Sequence, residues 1–137
     1  MKNISIVIPL QGALISSIVR LFKIFSEANN YELQKAKSMP FCFNFAADAQ
    51  VVNLYGGHYT LKPGRQLKDI SKTDLVIIPA LAGNIGEGLQ KDKELQQWIR
   101  KQFQYGTEIA FMCTSVFLLP DTEILQKTLY KKMVCCR

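Results

Sequence analysis

Cys113 is the residue in this chain whose surroundings best suit covalent chemistry. It ends the apolar run 107–112, and Thr114-Ser115 and then Val116-Phe117-Leu118-Leu119 follow it. A strand that ends in cysteine and passes at once into a helix sets the sulfur at a helix N-terminus. Aligned amides there stabilise a thiolate and draw its pKa below the free value of about 8.5. The amides of Thr114 and of the loop after Pro79 are then candidate donors to an oxyanion. The other reading is a small buried cysteine without chemistry. Periodicity alone leaves both open.

The remaining reactive side chains point nowhere in particular. Cys42, Cys135 and Cys136 fit neither a zinc spacing nor a disulfide framework, and the single histidine is His58. Reduced thiols are expected, with no metal and no cofactor. His58 follows Gly56-Gly57 and reads as an exposed turn residue. Gly83, Gly86 and Gly88 make no dinucleotide or phosphate-loop pattern. The net charge is +6. Basic residues gather at Lys62, Arg65, Lys68 and Lys72, and again at Lys127, Lys131, Lys132 and Arg137. Neither group forms a stripe interleaved with aromatics, so both read as solvated faces, and direct DNA binding by this chain is not expected. No apolar run reaches the roughly 18–20 residues of a membrane span, and the N-terminus lacks a signal-peptide pattern. A cytoplasmic protein without a membrane partner is expected.

The elements that must hold Cys113 follow from periodicity. Residues 4–8 are apolar at nearly every position, as in a strand buried on both faces of a parallel sheet. Leu14, Ile18, Leu21, Phe22 and Phe25 then fall at helical spacing, with Asn29-Asn30 predicted to end the helix. Residues 41–47 read as a strand. Residues 51–55 and 59–61 read as a hairpin around Gly56-Gly57. Residues 74–78 are the strongest strand, closed by Pro79. The small residues 80–88 are expected to form a loop. A helix is predicted near 91–103, a strand over 107–112, and a further helix from Val116. This order predicts an α/β domain with a mostly parallel sheet and helices on both faces. Functional groups in such a sheet collect at the carboxyl ends of the strands. Here those ends are 9–12, 79–83 and 113–115.

The whole pattern resembles a known family. Residues 4–9 with Gly12-Ala13, then Thr73-Asp74-Leu75-Val76-Ile77-Ile78-Pro79, then Trp98-Ile99, then Glu108-Ile109-Ala110-Phe111-Met112-Cys113-Thr114 with Phe117-Leu118-Leu119, are similar to the ThiJ/PfpI family. That family belongs to the class I glutamine amidotransferase-like superfamily. The branch most like this chain is the N-terminal domain of AraC-type transcriptional regulators, over residues 3–119. The resemblance implies a flavodoxin-like three-layer sandwich with Cys113 at the nucleophile position. An acidic residue of the first helix normally leans on that cysteine; its matching position is Ser17. Thr114 stands where enzymes of the family often have histidine, and Ser115 where glycine is usual. A nucleophile without a base is an incomplete catalytic set.

The resemblance therefore implies a ligand-sensing domain that does not turn its ligand over. Gly12, Ser17, Ala80, Leu81, Cys113 and Thr114 are the expected contacts to a small-molecule effector. The rival is a cysteine hydrolase, deglycase or isonitrile-hydratase-like enzyme using Cys113, with its base drawn from Glu87, His58 or another subunit. Only 24 residues follow Cys113. The family's later strands, and the regulators' helix-turn-helix, are thus expected to be missing. Residues 1–125 read as a partial domain and 126–137 as a divergent tail, with a premature stop or frame change near 126–130. A third possibility is a remnant of a broken gene. Apolar faces left uncovered lead to an expected homo-oligomer.

Overall fold

The β-branched run at the start forms β1 (Lys2–Val7), and its side chains alternate between two cores. The computed structural model describes residues 1–119 and the backbone of residues 133–136. After β1 come α1 (Ile15–Gln34), β2 (Phe41–Ala47), β3 (Val52–Leu54), β4 (Tyr59–Leu61), β5 (Arg65–Gln66) and β6 (Leu75–Ile78). Then follow α2 (Ile85–Gly88), α3 (Lys93–Gln104), β7 (Glu108–Met112) and β8 (Met133–Cys136). Among the described residues the main sheet has six strands, in the order β5-β2-β1-β6-β7-β8. Every pairing within it is parallel. With the short β5 set aside, the order is that of a flavodoxin-like sheet, and it reverses between β1 and β6.

Helices cover both faces. On one, Ile4 and Ile6 meet Ile18 and Leu21 of α1 and Val52 and Leu54 of the β3–β4 hairpin. Aromatic rings finish this side, with Phe25 edge-on to Phe41 and Phe22 edge-on to Phe43. On the other, Val7, Val76, Ile78, Ile109 and Phe111 pack beneath Leu95, Trp98 and Ile99 of α3. Gln102 of α3 is wholly buried, and its amide nitrogen donates to the carbonyls of Ile70 and Ser71. That bond ties the helix to the segment entering β6. Among the described residues no helix is long and apolar enough to cross a membrane.

The structure departs from the sequence reading in several places. Asn29 does not end α1, which continues to Gln34. Its side chain leaves the helix instead and brackets Phe41, donating to the Phe41 carbonyl (2.8 Å) and accepting from the Phe41 amide (3.1 Å). A polar residue that looks like a stop is thus a clasp on the start of β2. The expected loop 80–88 contains the short helix α2, capped by the Asn84 side chain. Arg65 and Gln66, assigned to no element from the sequence, form β5. The helix expected from Val116 is a 3-10 segment, Cys113–Leu118. The 125/126 boundary lies outside the described residues. Of the expected divergent tail, only the backbone of β8 is described, and it pairs with β7 from Ile109 to Met112.

The Asn29 clasp is testable. Replacing Asn29 by Ala removes both bonds and strands the Phe41 backbone groups. Urea denaturation should show a loss of about 1–3 kcal/mol. Asn29→Asp keeps the acceptor, loses the donor, and should fall between wild type and Asn29→Ala.

Candidate functional site

The crevice opens where β1 and β6 send their chains to opposite sides of the sheet. The loop after β1 and the loop after β6 meet there as a small backbone ladder. The Leu14 amide donates to the Ala80 carbonyl (2.8 Å), and the Ala82 amide donates to the Gly12 carbonyl (3.3 Å). Ala13 and Leu81 form the bridge between them. Gly12 adopts φ +111°, which side chains rarely allow, and the chain can therefore reverse beside Ala82.

Thr114 joins the third strand end to this ladder. Its hydroxyl accepts from the Leu81 amide (2.9 Å) and lies 3.3 Å from the Leu81 carbonyl, to which it can donate. Ser115 is completely buried, and its hydroxyl sits 2.9 Å from the carbonyls of both Ile78 and Met112. These two hydroxyls hold the turn around Cys113. That turn is sharp: Cys113 has φ +50°, a left-handed conformation costing roughly 1–2 kcal/mol for a residue with a Cβ. Its thiol is exposed and free. Serine at position 115 therefore does not loosen the turn; it fastens the turn to β6.

Of the predicted contact residues, Gly12, Ala80, Leu81 and Thr114 stand in one hydrogen-bond network beside Cys113. Ser17 does not join it as a partner of the cysteine. It is buried, and its hydroxyl is committed to the Leu14 carbonyl at 2.7 Å. Among the described residues, no carboxylate, imidazole or hydroxyl is hydrogen-bonded to the Cys113 sulfur. His58 lies exposed in the hairpin connection. Two amides of the loop after Pro79, expected among the oxyanion donors, are engaged: Leu81 gives its amide hydrogen to Thr114 and Ala82 gives its own to Gly12. The 3-10 segment after Cys113 replaces the helix whose dipole was expected there, and its amides are less well aligned. Among the described residues, no group of three metal-ligating side chains occurs.

Asp92 is a residue of this site that the sequence reading missed. At the start of a helix it looks like a cap, yet it makes no side-chain bond to α3. It is 1% exposed, and its carboxylate accepts from the backbone amides of Leu10 (2.7 Å) and Gln11 (3.3 Å). It therefore holds the 9–12 loop in the crevice. Burial pushes its carboxyl above the ordinary value of 3.8; the Leu10 and Gln11 amides oppose the rise, and Asp48 adds to it. Among the described residues neither polar atom of the Gln11 carboxamide reaches hydrogen-bonding geometry with a partner. Gln11 lies directly on Gly88, where any Cβ would collide with it. No local pattern signals this pairing, because 82 residues separate Asp92 from Leu10.

No family model and no curated protein sequence matches the chain. Solved structures do. A protein from Vibrio parahaemolyticus, described as a candidate transcriptional regulator, superposes with a TM-score of 0.74 at 22% identity, over 92% of this chain and 63% of that one. A DJ-1 superfamily protein from Agrobacterium tumefaciens gives 0.64 at 17% identity, over 93% and 61%. An AraC family transcriptional regulator from Pseudomonas putida gives 0.64 at 12% identity, over 91% and 63%. The structural neighbours are thus DJ-1/ThiJ/PfpI superfamily proteins, the group the sequence resembles. The likeness shows the fold, a flavodoxin-like sandwich of the DJ-1/ThiJ type. The chain spans about three fifths of the length of these structures.

The Asp92 latch has a pH signature. A carboxyl whose folded pKa is raised binds its proton more readily in the folded state. Its contribution to stability is then fully present below 3.8 and is lost as pH rises through the folded value. Asp92→Asn cannot titrate. In urea denaturation from pH 4 to pH 8 (roughly the span of interest for a raised carboxyl), the wild type should lose stability relative to Asp92→Asn as pH increases. A wild-type advantage that grows with pH would mean that the two amides outweigh burial.

Proposed function

We propose that this chain is a ligand-sensing ThiJ/PfpI-like domain of the kind found in AraC-type regulators, binding a small molecule beside Cys113 without turning it over. One observation carries the reading: the Leu81 amide, in the loop expected to supply an oxyanion donor, is bonded to Thr114 instead. A tetrahedral intermediate formed at Cys113 would have to displace that bond. The nucleophile position also lacks the acid that a thiol needs as its proton partner, since serine occupies that place in α1 and is bonded to its own helix. What remains is an exposed thiol over a rigid, hydrogen-bonded crevice. Such a crevice can recognise a ligand by shape and backbone contacts. A regulator from Pseudomonas putida and a candidate regulator from Vibrio parahaemolyticus share the fold, as the regulatory reading expects, and DJ-1 superfamily proteins share it too.

Alkylation separates the two. Cys42 is an exposed thiol on the same chain and serves as an internal reference. At pH 6, iodoacetamide should label Cys113 no faster than Cys42 by peptide mass spectrometry. Hydrolysis of amide, deglycase or isonitrile substrates should be no higher for wild type than for Cys113→Ala. Labelling of Cys113 more than about tenfold faster than Cys42, together with turnover lost in Cys113→Ala, would establish the cysteine enzyme.

We also propose that the domain self-associates. On α1, Val19 is 55% exposed and Ile24 61%. Phe22, half-exposed between them in sequence, extends the apolar surface over Phe43 and Phe45. Sedimentation velocity should show mass rising with concentration, and Val19→Lys with Ile24→Lys should suppress it. A wild-type monomer at every concentration refutes the association.

A further inference from the structure

A second cavity lies toward the amino ends of β1 and β2, at the opposite end of the sheet from Cys113. Its volume is about 450 Å³. Side chains of Asn3 and Ser5 from β1 and of Cys42 and Asn44 from β2 line it. They stand side by side, because Asn3 pairs in register with Cys42 and Ser5 with Asn44. This is the face that Val7 and Ala46 share with the core under α3. Interior parallel strands are ordinarily apolar on both faces. Three polar side chains and a thiol, in two successive registers of the same face, break that rule.

Ser5 is 2% exposed and lines the cavity. One of these polar groups is also buried without a partner among the described residues, the Asn44 side-chain oxygen. Native proteins leave few such groups, since each costs about 1–3 kcal/mol. Two cations, Arg65 and Lys72, border the cavity, and among the described residues no carboxylate lines it. Among the described residues neither cation has an acidic partner. Both belong to the basic group that the sequence reading assigned to a solvated face. Unpaired cations beside a buried hydroxyl and a carboxamide suit an anion that also brings a hydrogen-bond donor.

We infer that this cavity binds a small oxyanion, carboxylate or phosphate, between Arg65 and Lys72, with Ser5 and Asn44 contacting it from the sheet. The assignment is independent of the Cys113 crevice. The test is amide-resolved NMR titration of the full chain with inorganic phosphate and, separately, with L-malate, at ionic strength held constant with sodium chloride. Saturable shifts at Ser5, Asn44 and Arg65 with either probe are expected. Saturation by phosphate alone identifies a phosphate site, and by malate alone a hydroxycarboxylate site. Arg65→Gln should weaken the affinity by about tenfold or more. Ser5→Ala, which leaves the cations in place, should weaken it in the same direction. The same titration on Cys113→Ala should match wild type, which separates this site from the crevice. Shifts that never saturate with either probe, or that saturate equally in Arg65→Gln, overturn the assignment.

Discussion

Leu81 gives its amide hydrogen to the hydroxyl of Thr114, and this bond couples the three strand ends that meet at the crevice. Leu81 belongs to the loop after β6, and its neighbours Ala80 and Ala82 are bonded to Leu14 and Gly12 of the loop after β1. Thr114 follows Cys113 directly. Through that hydroxyl the loop holding the cysteine is fixed against the other two. A parallel sheet leaves its carboxyl-end loops without strand partners, and their backbone groups must be satisfied in some other way. Here they satisfy one another. The same economy leaves fewer amides to meet a substrate, so rigidity in this crevice and catalytic competence draw on the same donors.

Buried polar side chains extend this scheme into the sheet. Ser115 bridges carbonyls of β6 and β7 from within the core, and a left-handed cysteine can persist on the turn above it. Asp92 reaches from the start of α3 to the loop after β1. Its contribution is a balance: two amide bonds favour the carboxylate, and burial disfavours it. Burial is the larger effect, so the latch is a group held at some electrostatic cost to fix one loop. Stored cost of this kind is common where geometry matters more than stability.

The layering and the strand ends were legible in the sequence, because buried parallel strands and amphipathic helices write their periods directly into it. Ile4 to Ile8 and Leu75 to Ile78 could hardly be anything else. The position of Cys113 at a sharp turn was legible for the same reason, since an apolar run breaks there into Thr-Ser. The functions of the polar residues were not. Asn29 looks like a helix stop, Asp92 like a helix cap and Ser115 like a lost glycine. Each is instead bonded to a chain segment distant in sequence, at Phe41, Leu10 or Ile78. Local patterns report on neighbours three or four residues away and are silent on such partners. Arg65 and Lys72 show the same blindness, for a run of scattered cations gives no hint that a pleated sheet will set an unmatched carboxamide oxygen beside two of them.

The two ends of the sheet differ in how they treat polar groups. At the carboxyl ends, hydroxyls and backbone amides are matched to one another, and the exposed thiol and the Gln11 carboxamide are the groups left over. At the amino ends of β1 and β2, the Asn44 carboxamide oxygen is left unmatched against the sheet, near the Ser5 hydroxyl and two cations. Unmatched buried groups weaken a fold unless something outside the protein completes them. Matched groups gain little from a ligand and lose their own bonds to admit one. By that reasoning a ligand at the crevice must be recognised mainly by shape and by displacement of weak bonds such as the 3.3 Å contact from Ala82 to Gly12. A ligand at the amino end would instead be recognised by charge and hydrogen bonding, so the two sites should select different chemical classes.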